Sequence, residues 1–240
     1  MTGYFRFPTI HEDRIVFVSE DDLWAVPRTG GVARRLTSGL GETSRPFFSP
    51  DGSLIAFTGT EDGTTEIYVM PSHGGRSTQV TFLGAVSAST GWTPDGMVVF
   101  RTHHRQGMAS RLMELYSVSP EGGEPSSMKL GPGHGCDFEP FGPGIIVSRN
   151  ADDLARWKRY KGGTAGVLWL SRDGEEWQRL FAEEPSGHCR PMWLNDRIYF
   201  VSDRDGHGNL WSCDVEGNDL QKHTSHDDFY VRFADRKSVV

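Results

Sequence analysis

The sequence predicts an all-β protein, a β-propeller of five blades with the start of a sixth, and three observations carry that prediction. One segment type returns five times along the 240 residues, as DLWAVP (22–27), EIYVMP (66–71), ELYSVSP (114–120), VLWLSRD (167–173) and NLWSCDV (209–215). Its aromatic residues Trp24, Tyr68, Tyr116, Trp169 and Trp211 are separated by 44, 48, 53 and 42 residues. An apolar strand precedes each copy: RIVFVS, LIAFTG, MVVFRT, GIIVSR and RIYFVSD. The third observation is punctuation. The 29 glycines and 13 prolines fall between apolar runs, where they mark turns and not low-complexity sequence.

A period in the forties with about four short strands per unit is the signature of a propeller. A β-sandwich also suits short strands, but it supplies no reason for the same motif to return at every step.

Taken in order, each unit reads as strand, tight turn, strand, turn, strand. The first of these strands is nearly all apolar and does not alternate, so both of its faces are expected to be buried. Hairpin chemistry combined with two-sided burial means sheets stacked on sheets. SPDG (49–52) and TPDG (93–96) place Pro where φ near −65° is needed, Asp where its side chain closes the turn, and Gly where φ becomes positive. HGG (73–75) and EGG (121–123) do similar work, and closing strands follow in GGVARRLT (30–37), GGRSTQVT (74–81) and GNDLQKHT (217–224). Blade limits are expected near 8–45, 46–88, 89–135, 136–188 and 189–228, with a sixth starting at 229–240.

One stretch competes as a helix. In 152–161, Asp152 and Asp153 precede Leu154, Trp157 and Tyr160, and Lys161 and Gly162 follow. An acidic start, a basic end and a terminal glycine are helix signals. A short helical excursion in the long fourth repeat and a protruding hairpin both fit.

The repeat count does not close. Ser238-Val239-Val240 resemble the opening of the strand that Ile15-Val16-Phe17 supply in the first repeat. A propeller closes last blade on first, and an open arc exposes large apolar faces. The expectation is a segment of a longer protein, self-associating when isolated.

Composition narrows the function classes. The formal charge is −7, so no molecule-wide field favours nucleic acid or anionic lipid. No apolar run approaches the roughly 20 residues of a membrane helix. MTGYFRFPTIHEDRIVFV lacks the basic n-region and apolar stretch of a secretory signal. Cys136, Cys189 and Cys213 are odd in number and widely spaced, which points to no disulfide framework and to a reducing, cytoplasmic setting.

Several patterns invite chemistry. No GxSxG nucleophile elbow occurs. His188-Cys189 pairs the residue types of a thiol catalyst, but adjacent strand residues point to opposite faces. DRDGHGN (203–209) resembles a calcium loop, but its glycine comes fourth and His207 takes the fifth place, which reads better as an inter-strand turn. His223, His226, Asp227 and Asp228, like His103-His104, lack metal-ligand spacing, and GPGHGC (131–136) fails as a dinucleotide fingerprint. Neither metal nor cofactor is expected. The acidic tips His11-Glu12-Asp13 and Glu20-Asp21-Asp22 read as hairpin ends or as faces for a partner domain.

The stretch RWKRYKGG (156–163) interleaves Arg156, Lys158, Arg159 and Lys161 with Trp157 and Tyr160. Nucleic-acid binding needs a basic face spanning several phosphates, and a phosphate loop needs Lys-Ser/Thr and a helix after its glycines. Neither is present. An ordinary reading packs Trp157 and Tyr160 onto the blade while the Arg and Lys stems reach solvent.

FPTIHEDRIVFVSEDDLWAVPRTGGVARRLT (7–37), RNADDLARWKRYKGGTAGVLWL (149–170) and RIYFVSDRDGHGNLWSCDVEGNDLQKHTSHDDFYVR (197–232) resemble the N-terminal propeller of tricorn proteases, and the similarity runs along essentially the whole chain. RWKRYKGGTAG and HTSHDDFYVR are specific to that likeness, whereas SPDG, LY and GG turns also suit TolB-like propellers. The resemblance implies a large cytosolic serine peptidase that degrades oligopeptides, with two propellers, a PDZ-like module and a catalytic core, assembled into ring-shaped oligomers. It implies a six-bladed first propeller acting as a non-catalytic peptide conduit and scaffold. The nucleophile and its histidine lie in later regions, so no catalytic residue is carried over. A basic pair that family members place between the second and third blades to hold a peptide carboxylate has no counterpart in TFLGAVSASTG (81–91). The resemblance also gives Arg156, Lys158, Arg159, Lys161, Asp227 and Asp228 a candidate role in lining a channel or docking other domains. The alternative is a stand-alone TolB-like propeller that binds a protein partner.

Overall fold

A computed structural model describes residues 4–39, 41–61, 63–105 and 112–235. Among the described residues, twenty strands form five antiparallel four-stranded sheets, each with its strands in sequence order. The chain divides into two compact units, one up to Gly131 and one spanning Pro132–Arg236.

The first unit holds three sheets. The first contains β1 (Arg6–His11), β2 (Arg14–Ser19), β3 (Asp22–Pro27) and β4 (Arg34–Arg35). The second contains β5 (Thr43–Phe48), β6 (Leu54–Gly59), β7 (Glu66–Pro71) and β8 (Thr78–Gln79). The third contains β9 (Ser87–Trp92), β10 (Val98–Thr102), β11 (Glu114–Val118) and β12 (Ser126–Pro132). The second unit holds β13 (Gly135–Phe138), β14 (Ile145–Arg149), β15 (Val167–Ser171) and β16 (Gln178–Leu180) in one sheet. Its other sheet contains β17 (His188–Leu194), β18 (Arg197–Ser202), β19 (Asn209–Asp214) and β20 (Gln221–Lys222).

The apolar strands β6 and β10 are buried on both faces, and in β6 strand periodicity divides the side chains between two cores. In β6, Ile55 and Phe57 join Val16, Val18, Leu23 and Met70, while the intervening Ala56 joins Val98, Phe100 and Tyr116 on the opposite side. In the second unit Ile146, Leu168, Trp193, Ile198 and Phe200 form a comparable inter-sheet core.

The four strands expected per unit are present, but their order corrects the sequence reading. The apolar strand expected to open each repeat is the second, and β1, β5, β9, β13 and β17 precede it. These leading strands lack an apolar run, and three carry proline: RFPTIH, TSRPFF and HCRPMWL. In each of the three the register slips beside the proline. The residue before it adopts positive φ: Phe7 at 50°, Arg45 at 52° and Arg190 at 52°. A repeated bulge therefore hides these strands from any alternation test.

The turn chemistry follows expectation. In SPDG the Ser49 hydroxyl and both the backbone and side chain of Ser53 donate to Asp51, whose carboxyl is held down at about 2. Gly52 has φ 73°, and a Cβ there would sit 2.4 Å from the His11 ring.

The closing Leu-Thr signal has a physical basis. Thr37 Oγ1 donates to Asp22 and accepts from Leu23 N at 2.9 Å. Thr81 Oγ1 donates to Glu66 and accepts from Ile67 N at 2.9 Å. Thr224 Oγ1 donates to Asn209 and accepts from Leu210 N at 2.9 Å. The same hydroxyl lock thus ties the return segment to the head of the third strand in three sheets.

The described residues do not confirm the start of a sixth blade. Residues 229–235 contain no strand, and 236–240, including Ser238-Val239-Val240, lie outside the described residues. Instead Tyr230 is buried with Leu154, Cys189 and Val201.

Candidate functional site

The RWKRYKGG insertion leaves the fourth sheet after β14 and returns at β15. Only Leu154–Arg156 is helical, as a 3₁₀ turn whose N-cap Asp153 accepts from Ala155 N at 3.1 Å. The expected excursion is therefore a single helical turn, followed by turns and bends as far as Ala165. Asn150 Nδ2 closes the neck by donating to Ala165 O at 3.0 Å. On the return side His188 N donates to Gly166 O, and a Cβ at Gly166 would meet the His188 carbonyl at 2.5 Å, so only glycine allows this approach.

Three anchors bind the insertion to the fifth sheet and the segment after it. Leu154 is buried against Cys189, Val201 and Tyr230. Asp203 accepts from Arg159 N with Oδ2 and from Gly187 N with Oδ1, both at 2.9 Å. Asp153 Oδ2 accepts from Arg232 Nε at 3.0 Å, so one carboxylate both caps the turn and forms an ion pair. Lys158 Nζ lies 5.2 Å above the Tyr230 ring.

This arrangement overturns one expectation. Trp157 and Tyr160 do not pack the insertion onto the blade. Trp157 is 64% exposed and Tyr160 38%, and their rings meet each other at 5.5 Å. Leu154 and the backbone bond to Asp203 already secure the loop, so the aromatics are left facing outward. The stems of Arg156, Lys158, Arg159 and Lys161 are exposed, and among the described residues none of the four forms an ion pair with a carboxylate.

Asp227 and Asp228 are exposed on the segment between His226 and Phe229, whose tilted rings meet at 4.0 Å. No hydrogen bond or ion pair among the described residues joins them to the four cations. DRDGHGN forms the β18–β19 turn, with Gly206 N donating to Asp203 O. His223 Nε2 lies 2.7 Å from Ser212 Oγ, and its ring packs at a tilt against Tyr199.

His188 and Cys189 are both buried in β17. His188 packs between Phe181 and Phe200, and burial, with the Arg204 and Arg179 charges, pushes its imidazole down to about 3. Burial pushes the Cys189 thiol up to about 12. A thiol and an imidazole tuned this way are inert as nucleophile and base at neutral pH. Ser186 Oγ lies 3.4 Å from His188 Nε2, but Glu184 faces the serine and not the imidazole, so no catalytic triad is formed.

A model of the tricorn protease N-terminal β-propeller domain matches residues 2–239. The chain belongs to the tricorn protease family, as its N-terminal β-propeller. The crystal structure of the tricorn protease superposes on this propeller with TM-score 0.89 at 31% identity, over 98% of this chain and 24% of that one. Tricorn protease homolog 1 of Streptomyces coelicolor is 36% identical over 234 residues, 97% of this chain and 22% of that protein. A Sulfurisphaera tokodaii relative named putative tricorn-like protease N-terminal subunit is 30% identical over 178 residues, 72% of this chain and 89% of its own. The chain thus spans less than a quarter of the Streptomyces relative and of the solved tricorn protease.

For the tricorn propeller, sequence reasoning named the insertion but missed its anchors. In the sequence Asp203 stands in a calcium-like loop, and Tyr230 and Arg232 in the family-like HTSHDDFYVR. The available signal was that both motifs accompany RWKRYKGG within one chain.

Proposed function

We propose that this chain is the N-terminal propeller of a tricorn-like cytosolic serine peptidase that degrades oligopeptides, and that it acts as a non-catalytic conduit and scaffold. The match over residues 2–239, within relatives more than four times as long, carries the reading. The inert environments of His188 and Cys189 support a non-catalytic part. Its partners in this reading are oligopeptides, the remaining domains of the same polypeptide, and further copies in a homo-oligomer. The relative named as an N-terminal subunit supports a propeller held by surface contacts as well as by chain connection. Arg156, Lys158, Arg159, Lys161, Asp227 and Asp228 are assigned to docking or channel lining, the four cations facing acidic groups.

The test is peptide hydrolysis by the polypeptide of the natural reading frame beside the 240-residue chain. The expected result is cleavage of fluorogenic oligopeptides by the first and none by the second. Turnover by the 240-residue chain itself, or a natural product that is complete and stable without a peptidase part, overturns the reading.

A further inference from the structure

We propose that Trp157 and Tyr160, flanked by Arg156 and Lys161, are the anchor by which this propeller docks on a carboxylate-lined surface elsewhere in the same peptidase, an inference that rests on the function proposed above.

Trp157 is the one exposed tryptophan of seven. It stands on a loop that is fixed from several directions: the Asp153 cap, the burial of Leu154, the Arg159–Asp203 backbone bond and the Asn150 closure. Thr164 Oγ1 donates to the Tyr160 hydroxyl at 3.2 Å, and a Cβ at Gly162 would fall 2.1 Å from that hydroxyl, so the tyrosine ring has a seat of its own. Holding an aromatic pair rigidly in water adds little to the stability of the chain. It does remove ordering cost from a binding event, and exposed Trp, Tyr and Arg are the residue types that dominate interface energetics.

Charge selects the occupant. Four cations lie within six residues on a chain of net charge −7, and none is neutralised by a carboxylate among the described residues. A second copy meeting this loop through the same patch would place like charges together, which disfavours it. Nucleic acid requires a longer basic track than one loop. An acidic protein surface satisfies both the aromatics and the cations. Relatives more than four times the length of this chain provide ample further polypeptide to carry one.

The experiment uses the full natural polypeptide with the photo-crosslinker benzoylphenylalanine at position 157, followed by peptide mapping. Crosslinks are expected on an Asp- and Glu-rich surface outside residues 1–240. In the same polypeptide, the fluorescence lost on Trp157→Phe is expected to be protected from acrylamide. Arg156→Glu with Lys161→Glu is expected to make that component several-fold more quenchable, without loss of overall folding. Crosslinks to the same loop of another copy, to nucleic acid or to nothing overturn the proposal, as does full acrylamide access in the unmodified polypeptide. Failure of the underlying peptidase reading registers separately, as absent oligopeptide hydrolysis by the unmodified polypeptide.

Discussion

In three of the five sheets a single threonine hydroxyl ties down the closing segment. Thr81 is buried and serves both the Glu66 carboxylate and the Ile67 amide, while the other oxygen of Glu66 accepts from Leu83 N at 2.7 Å and Gly84 N at 2.8 Å. Thr81→Val keeps the shape but strands a buried acceptor and a buried donor, so a loss of about 2–3 kcal/mol is expected in urea unfolding. His188 contributes to the acid sensitivity of the fold. Its imidazole titrates at about 3 in the folded chain against the ordinary 6.5, because burial and two nearby guanidinium groups oppose its charge. Between those values the unfolded chain binds more protons than the folded one. The stability contribution is complete above pH 6.5 and falls as pH drops towards 3, at up to about 1.4 kcal/mol per pH unit. His188→Gln is expected to flatten that dependence in thermal melts between pH 7.5 and 4.5, and an unchanged slope would refute the assignment.

At the scale of elements, the insertion and the segment after β20 stabilise each other. Asp153 caps the 3₁₀ turn and pairs with Arg232, with its side chain only 4% exposed. Asp153→Ala is expected to cost about 2 kcal/mol, since it removes a cap and a largely buried charge partner. A double-mutant cycle with Arg232→Ala is expected to return a coupling of about 1 kcal/mol, and a value near zero would make the ion pair incidental. The bulged leading strands belong to this scale as well. Phe7, Arg45 and Arg190 hold positive φ beside prolines, a strained conformation for side-chain-bearing residues that the surrounding ladder enforces.

For the whole molecule, the net charge of −7 outweighs the local basic loop at long range. Binding to single- or double-stranded oligonucleotides at physiological salt is expected to be weaker than about 10⁻⁴ M, which fluorescence anisotropy measures directly. Salt-sensitive binding in the micromolar range would restore the nucleic-acid reading of RWKRYKGG.

The sequence by itself determined the blade period, the two-faced apolar strands, the PDG turns and the family, because each is written in local composition repeated at a fixed spacing. It located RWKRYKGG but assigned Trp157 and Tyr160 to packing, since an aromatic residue carries no sign of which face it will find occupied. Only the tertiary structure decided that Leu154 fills the apolar seat, that Asp203 and Arg232 arrive from 44 and 79 residues away to fix the loop, and that the aromatic pair remains outside. It also decided that Phe229–Asp235 packs against the insertion and forms no strand. Such long-range pairings depend on what the fold brings together, and no window of neighbouring residues encodes them.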